Sequence, residues 1–169
     1  GDITQSYSGK TVEVIDTDAE GRLVLIDAVA YAQKDFKATK VIDLATLTGA
    51  IIVALGDHIT GVMGNTPEFT QSLISTSKKV GEKMWELPMD EDFTEMIKSD
   101  YADIANLGHG GSHRSAAGSI TAAKFIEEGI EKDIPWIHLD IAGTAWDMKP
   151  KPYRGPGATG VAIKTLVQL

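Results

Sequence analysis

The sequence has no cysteine. Disulfides and thiolate metal sites are therefore excluded, and the lack fits a reducing compartment. No apolar run approaches the roughly 20 residues that span a bilayer. The opening stretch, GDITQSYSGKTVEV, lacks the basic and apolar regions of a signal peptide. Basic residues are the minority: 16 Lys and Arg against 24 Asp and Glu leave a net charge of -8. That balance argues against broad nucleic-acid binding and against an anionic membrane surface, since both need basic patches. It is compatible with divalent cations. There is no internal repeat and no low-complexity tract. G-x-S-x-G is absent too, so no Ser-His-Asp arrangement is legible.

What is present is an ordinary globular composition, with 43% hydrophobic and 24% charged residues in a chain of 169. One domain of this size buries roughly 70% of the surface its unfolded chain exposes. Strand-like and helix-like segments alternate. TVEVI (11–15) is β-rich and follows the turn pair Ser8-Gly9. Residues 22–34 read as a helix, with Leu25, Ala28, Val29 and Ala32 on one face. KVIDLA (40–45) and TGVMG (60–64) read as strands, and TLTGAIIVALG (46–56) fits either helix or strand. Pro67 suits a first helical turn, after which Phe69, Leu73, Val80 and Met84 share a helical face. A short helix is expected over 91–99, a glycine-rich loop over 106–118, and a helix from about Ala116 to Glu128. WIHLDIAG (136–143) reads as a strand, 149–160 as a Pro/Gly loop, and Ile163, Leu166 and Val167 belong to a last helix. The alternation predicts an α/β fold, a largely parallel sheet flanked by helices. Ligands in such folds bind beyond the C-terminal ends of strands. Asp18, Thr46 to Gly49 and Gly143 each follow a predicted strand and are expected on one edge.

The densest chemistry lies in DTDAEGRLVLIDAVAYA (16–32). Thr17-Asp18-Ala19-Glu20 matches a capping box ahead of an apolar helix, and acidic residues there complement the helix dipole. A second reading starts from charge. Asp16, Asp18 and Glu20 fall within five positions beside Arg22, and carboxylates this close repel unless a cation or a base compensates. Hard divalent metals take oxygen ligands, a metal pair can activate water, and a nearby arginine can stabilise developing negative charge. One loop can cap a helix and bind metal.

The same stretch closely resembles the signature of the leucyl aminopeptidase (cytosol aminopeptidase) family, which usually reads Asn-Thr-Asp-Ala-Glu-Gly-Arg-Leu. GKTVEV before it, VIDLATLTGAIIVALG after it, RSAAGSITAAKFI, and WIHLDIAGTAW near the end extend the similarity in order over essentially the whole chain. The resemblance implies a metal-dependent aminopeptidase with two divalent ions, Mn or Zn, and a bicarbonate-like anion. It implies peptide substrates, often with N-terminal leucine, a homo-oligomer (a hexamer in the family) and a cytoplasmic setting. Asp18 and Glu20 would be metal ligands, with Glu20 bridging. Arg22 would be the catalytic arginine that holds the anion. Thr46, Leu47 and Gly49 would line the substrate cleft, and Ala142 and Ala145 would help wall the pocket for the first side chain. A terminal amine held by one metal presents only the terminal residue to water, which makes an exopeptidase.

Two departures qualify the match. Asp16 stands where the family has Asn, which adds negative charge beside the metals. For a simple N-cap the two residues are nearly equivalent. The family also places a lysine and two aspartates of the metal site, and a catalytic lysine, before this signature. Residues 1–169 therefore read as the C-terminal portion of the catalytic domain. The chain enters a strand almost at once, has no initiator methionine, and reads as a fragment of something longer. Lys10 belongs to the aligned GKTVEV segment and is no substitute. Two carboxylates rarely hold two catalytic metals unaided, so the chain alone is expected to be inactive.

The remaining groups have plainer readings. His109 and His113 are four apart, but the stretch is too glycine-rich to align them on a helix. This loop is expected to shape a channel or interface near the active edge. Its glycines ahead of a helix could also hold an anion. His138 reads as a satisfied core histidine, Trp85 and Trp146 as packing residues, and MDEDF (89–93) as a solvated helix start. The competing function is a non-catalytic assembly or binding module that keeps the fold. A carboxylate-pair glycosidase fits poorly, because i, i+2 spacing on one turn does not flank a sugar.

Overall fold

A computed structural model describes residues 1–109, 116–153 and 155–169. Two strands open the chain, β1 (Asp2–Gln5) and β2 (Thr11–Val14), followed by helix α1 (Gly21–Lys34). Next come β3 (Val41–Ala45), α2 (Gly49–Leu55), β4 (Thr60–Gly64), α3 (Pro67–Lys79) and β5 (Met84–Glu86). A one-turn helix α4 (Asp92–Glu95) and the short strand β6 (Ile104–Ala105) precede α5 (Gly118–Glu127). The last elements are β7 (Trp136–Asp140), β8 (Trp146–Asp147), β9 (Gly157–Ala158) and α6 (Ile163–Gln168).

The main sheet has the order β3-β7-β4-β5, and a smaller one has β1-β2-β6. The fold is α/β as expected, but the main sheet is mixed rather than largely parallel. β7 runs parallel to β3 and antiparallel to β4. The cause lies in α2. Its seven residues rise only about 10 Å, short of the roughly 16 Å that a five-residue strand spans. Gly56 at φ 68 then turns the chain, which enters β4 in the opposite sense.

β7 is buried along its whole length, so both of its faces meet helices. Ile137 and Leu139 join Val62, Leu73, Ile74, Met84 and Ala162 in one cluster. Trp136 packs on the other face with Val29, Val41, Met63, Ala123 and Ile126. A third cluster, Val12, Ile26, Ile97, Ile104 and Phe125, ties the small sheet to α1 and α5.

Several local expectations need correction. Helix α1 does not begin with a capping box: Glu20 is its N-cap, makes no side-chain cap bond, and no acidic residue lies in the first turn. The buried stripe of α1 is Arg22, Ile26, Val29, Ala30 and Gln33, rotated from the expected Leu25-Ala28-Val29-Ala32 face. The ambiguous 46–56 segment is α2, capped by the side chain of Thr48, which accepts from Ile51 N. Val80 is the C-cap of α3 and Met84 lies in β5, because Gly81 at φ 77 turns the chain between them. Trp85 and Trp146 are 62% and 61% exposed and do not pack the core. Trp136 is the tryptophan that is fully buried, and its Nε1 donates to Asp43 Oδ2 at 2.6 Å. His138 is fully buried as expected, with Nδ1 2.5 Å from Asp43 Oδ1. It is only half satisfied, since its Nε2 has no hydrogen-bond partner among the described residues.

Candidate functional site

The ends of β2 and β3 face each other across a cleft of about 940 Å³. Asp18, Glu20 and Arg22 form one wall, and Thr46, Leu47 and Gly49 the other. Leu107, Gly108, Ala116 and Gly118 close it, so the two described ends of the glycine-rich segment line this edge; residues 110–115 between them lie outside the described residues. Six of the eight residues singled out from the sequence thus come together. Ala142 and Ala145 are not part of the described lining. Ala142 connects to it indirectly: its amide donates to Asp140 Oδ1, which also accepts from Leu47 N, each at 3.2 Å.

The acidic turn is held by one residue that the sequence did not flag. Asn106 is fully buried. Its Oδ1 accepts from Ile15 N at 2.9 Å and Asp16 N at 3.2 Å. Its Nδ2 donates to Asp16 O at 2.6 Å and Ala19 O at 3.3 Å. Asp16 Oδ1 in turn accepts from Asp18 N at 2.9 Å. These bonds commit the backbone of 15–19 to a turn ahead of the helix, which is why the capping box does not form. Asp18 and Glu20 remain exposed at the cleft.

Arg22 contrasts with them. It lies on the buried stripe of α1 and is only 6% exposed, yet Nε and Nη1 have no hydrogen-bond partner among the described residues. Burial lowers its pKa to about 10, while the negative charges of Asp140 and Asp16 oppose the shift. The guanidinium stays protonated at neutral pH. A buried cation with unused donors on a cleft wall is suited to an anion.

The donor chemistry of Asp18 and Glu20 fits a hard divalent ion in kind. It falls short in number, because among the described residues no three His, Asp or Glu side chains converge as a metal site. His109 is exposed and its Nδ1 lies 3.4 Å from Leu107 O. His113, and the glycines at 110 and 111 considered for an anion, lie outside the described residues.

The family model for the cytosol aminopeptidase family, catalytic domain, matches residues 1–167. The chain belongs to the cytosol aminopeptidase family. A probable cytosol aminopeptidase of Geobacter sulfurreducens is 51% identical over 99% of this chain and 32% of its own length. One of Cenarchaeum symbiosum is 49% identical over 97% of this chain and 33% of its own length. The solved structure of a tomato leucine aminopeptidase variant superposes with a TM-score of 0.89 at 41% identity, covering 99% of this chain and 31% of that one. The chain therefore spans about a third of the length of the cytosol aminopeptidases it matches. No helix among the described residues is long and apolar enough to cross a membrane.

Proposed function

We propose that this chain supplies one part of the active site of a metal-dependent aminopeptidase. The observation that carries the reading is Arg22: a buried guanidinium with two nitrogens that find no hydrogen-bond partner among the described residues, beside two exposed carboxylates in one cleft. Asp18 and Glu20 would be the ligands this chain contributes to a pair of divalent ions, Mn or Zn, in the complete enzyme. The remaining ligands, a lysine and two aspartates, are those the family resemblance places before residue 16. When bound, such metals polarise a carbonyl and lower the pKa of a water. Arg22 would hold a bicarbonate-like anion in the cleft. Thr46, Leu47 and Gly49 bind the peptide near its N-terminus, and Ala142 and Ala145 back the pocket for the first side chain. The complete enzyme is read as a cytoplasmic homo-oligomer, a hexamer by the family resemblance.

The test is hydrolysis of leucine anilide with added manganese or zinc, by the chain alone and mixed with the segment that precedes it in full-length relatives. The chain alone is expected to be inactive, and the mixture active. Glu20→Gln lowers that activity at least about 100-fold, since even residues behind a metal's ligands cost 10–100-fold. Native-rate turnover by the isolated chain would refute the missing-ligand argument. A second reading, an assembly module without chemistry, draws on Val53, Met148 and Val167, which are 90%, 84% and 84% exposed. It predicts a folded chain that self-associates and gains no activity from the preceding segment.

A further inference from the structure

Asp140 closes β7 and is 1% exposed. It does not line the cleft, but it reaches the cleft's second wall from behind. Its Oδ1 accepts from Leu47 N and Ala142 N, both at 3.2 Å. Its Oδ2 accepts from Thr48 Oγ1 at 2.6 Å. That bond uses the only proton of the Thr48 hydroxyl. Thr48 Oγ1 must therefore accept in its other two contacts, from Ser119 Oγ at 2.8 Å and from Ile51 N at 3.2 Å. One buried carboxylate thus sets the direction of a network that joins β7, the 46–49 strip, the start of α2 and the start of α5.

We propose that Asp140 is a positioning residue of the cleft, whose carboxylate holds the Thr46–Gly49 strip in the shape that receives a peptide. The proposal rests on the peptide-site reading above. The role is geometric, so charge and shape separate by substitution. In Asp140→Asn the amide oxygen still accepts from Leu47 N and Ala142 N. The amide nitrogen donates to Thr48 Oγ1, which turns its proton to Ser119 Oγ. Every bond survives with its direction reversed where needed. Asp140→Ala removes all of them and leaves buried donors unpaired. Thr48→Val deletes one bond to Asp140 and keeps the charge.

The experiment is amide hydrogen exchange on the ¹⁵N-labelled chain, followed by titration with leucine amide once manganese and the segment that precedes the chain in full-length relatives have been added. Asp140→Ala should speed exchange of the Leu47 amide about tenfold or more, with the paired core strands at Val62 and Leu139 unchanged. Asp140→Asn should stay within about threefold of the parent, and Thr48→Val should fall between. Leucine amide should shift the Thr46, Leu47 and Gly49 resonances in the parent and the Asn variant, and not in the Ala variant. If exchange at Leu47 is unchanged, or rises only in step with the core, the positioning role is overturned. If Asp140→Ala fails to fold, a Thr48→Val strip that exchanges like the parent's overturns it equally. If the strip loosens as expected but leucine amide shifts nothing in the parent, the peptide-site reading fails. The peptide part of this proposal fails with it, and Asp140 is left as a local anchor.

Discussion

Gly143→Ala should destabilise this protein through a single atom. Gly143 follows β7 in the segment that carries Ala142 and Ala145, and passes the C-terminus of α2. A Cβ at this position would lie 2.2 Å from Gly56 O, 3.2 Å from Gly56 C and 3.4 Å from the Asp57 Cα. The first is more than 1 Å inside ordinary contact, and all three atoms are backbone. No rotamer change relieves the clash. Gly56 is itself pinned, since its N–H bonds to Ile52 O at 2.9 Å and its φ is 68. Overpacking of this kind costs about 1–3 kcal/mol, and a rigid neighbour puts it near the top of that range. Alanine also restricts the unfolded chain, which returns about 0.4–1 kcal/mol. The net loss is about 2 kcal/mol, or a Tm fall of about 4–8 °C for a chain of this length. Urea denaturation followed by circular dichroism measures it. Gly21→Ala is the control: the added Cβ meets nothing within 4 Å, so this first-turn substitution should range from neutral to about 1 kcal/mol stabilising. A Gly143→Ala protein within about 0.5 kcal/mol of the parent would refute the argument from close approach.

Three further outcomes are expected. Asn106→Ala leaves two amides and two carbonyls of the acidic turn without their partner, and should cost about 3 kcal/mol in urea denaturation. Trp136→Phe removes the indole donor to Asp43 inside the core and should cost about 2 kcal/mol, read as a lower urea midpoint at unchanged slope. The pH dependence involves Asp103, whose carboxylate accepts from Thr11 N and Oγ1 at 2.7 and 2.8 Å and is held below the usual carboxylate range chiefly by these bonds. Because its folded pKa is depressed, its contribution is present above the unfolded carboxylate pKa and is lost as pH falls through the folded value. Asp103→Asn should therefore be less stable than the parent at neutral pH, with the difference vanishing in acid. A difference that persists at pH 2 would contradict this.

The acidic turn was legible because its chemistry is local: Asp18, Glu20 and Arg22 are close in sequence and emerge together after one strand. Thr46 to Gly49 were legible for the same reason, as a strand end. What holds these segments was not. Asn106 bonds residues about 90 positions away and Asp140 bonds Leu47 and Thr48 across 93 and 92. In the sequence each is one polar residue at the end of an apolar stretch. The capping box failed because Asn106 holds the backbone of 15–19 in a turn, so the helix starts only at Gly21, after the motif. The tryptophans misled because bulk alone does not decide burial: Trp136 lies on the central strand, and Trp85 and Trp146 lie on short outer ones. Gly49 signalled a turn at 46–56, and the Thr48 cap settles that segment as helix.

The bond between Asp140 and the Leu47–Thr48 strip also sets a schedule. On a ribosome adding about 5–20 residues per second, the strip emerges well before the strand that braces it. The 93 residues between Leu47 and Asp140 correspond to roughly 5–19 s of synthesis at those rates. Through that interval β3 also lacks β7, its parallel partner, so an apolar strand edge waits unpaired beside an unformed cleft. That wall of the cleft takes its braced shape only after residue 140 has been made. A nascent chain stalled before residue 136 should expose that edge to chaperones or to its neighbours.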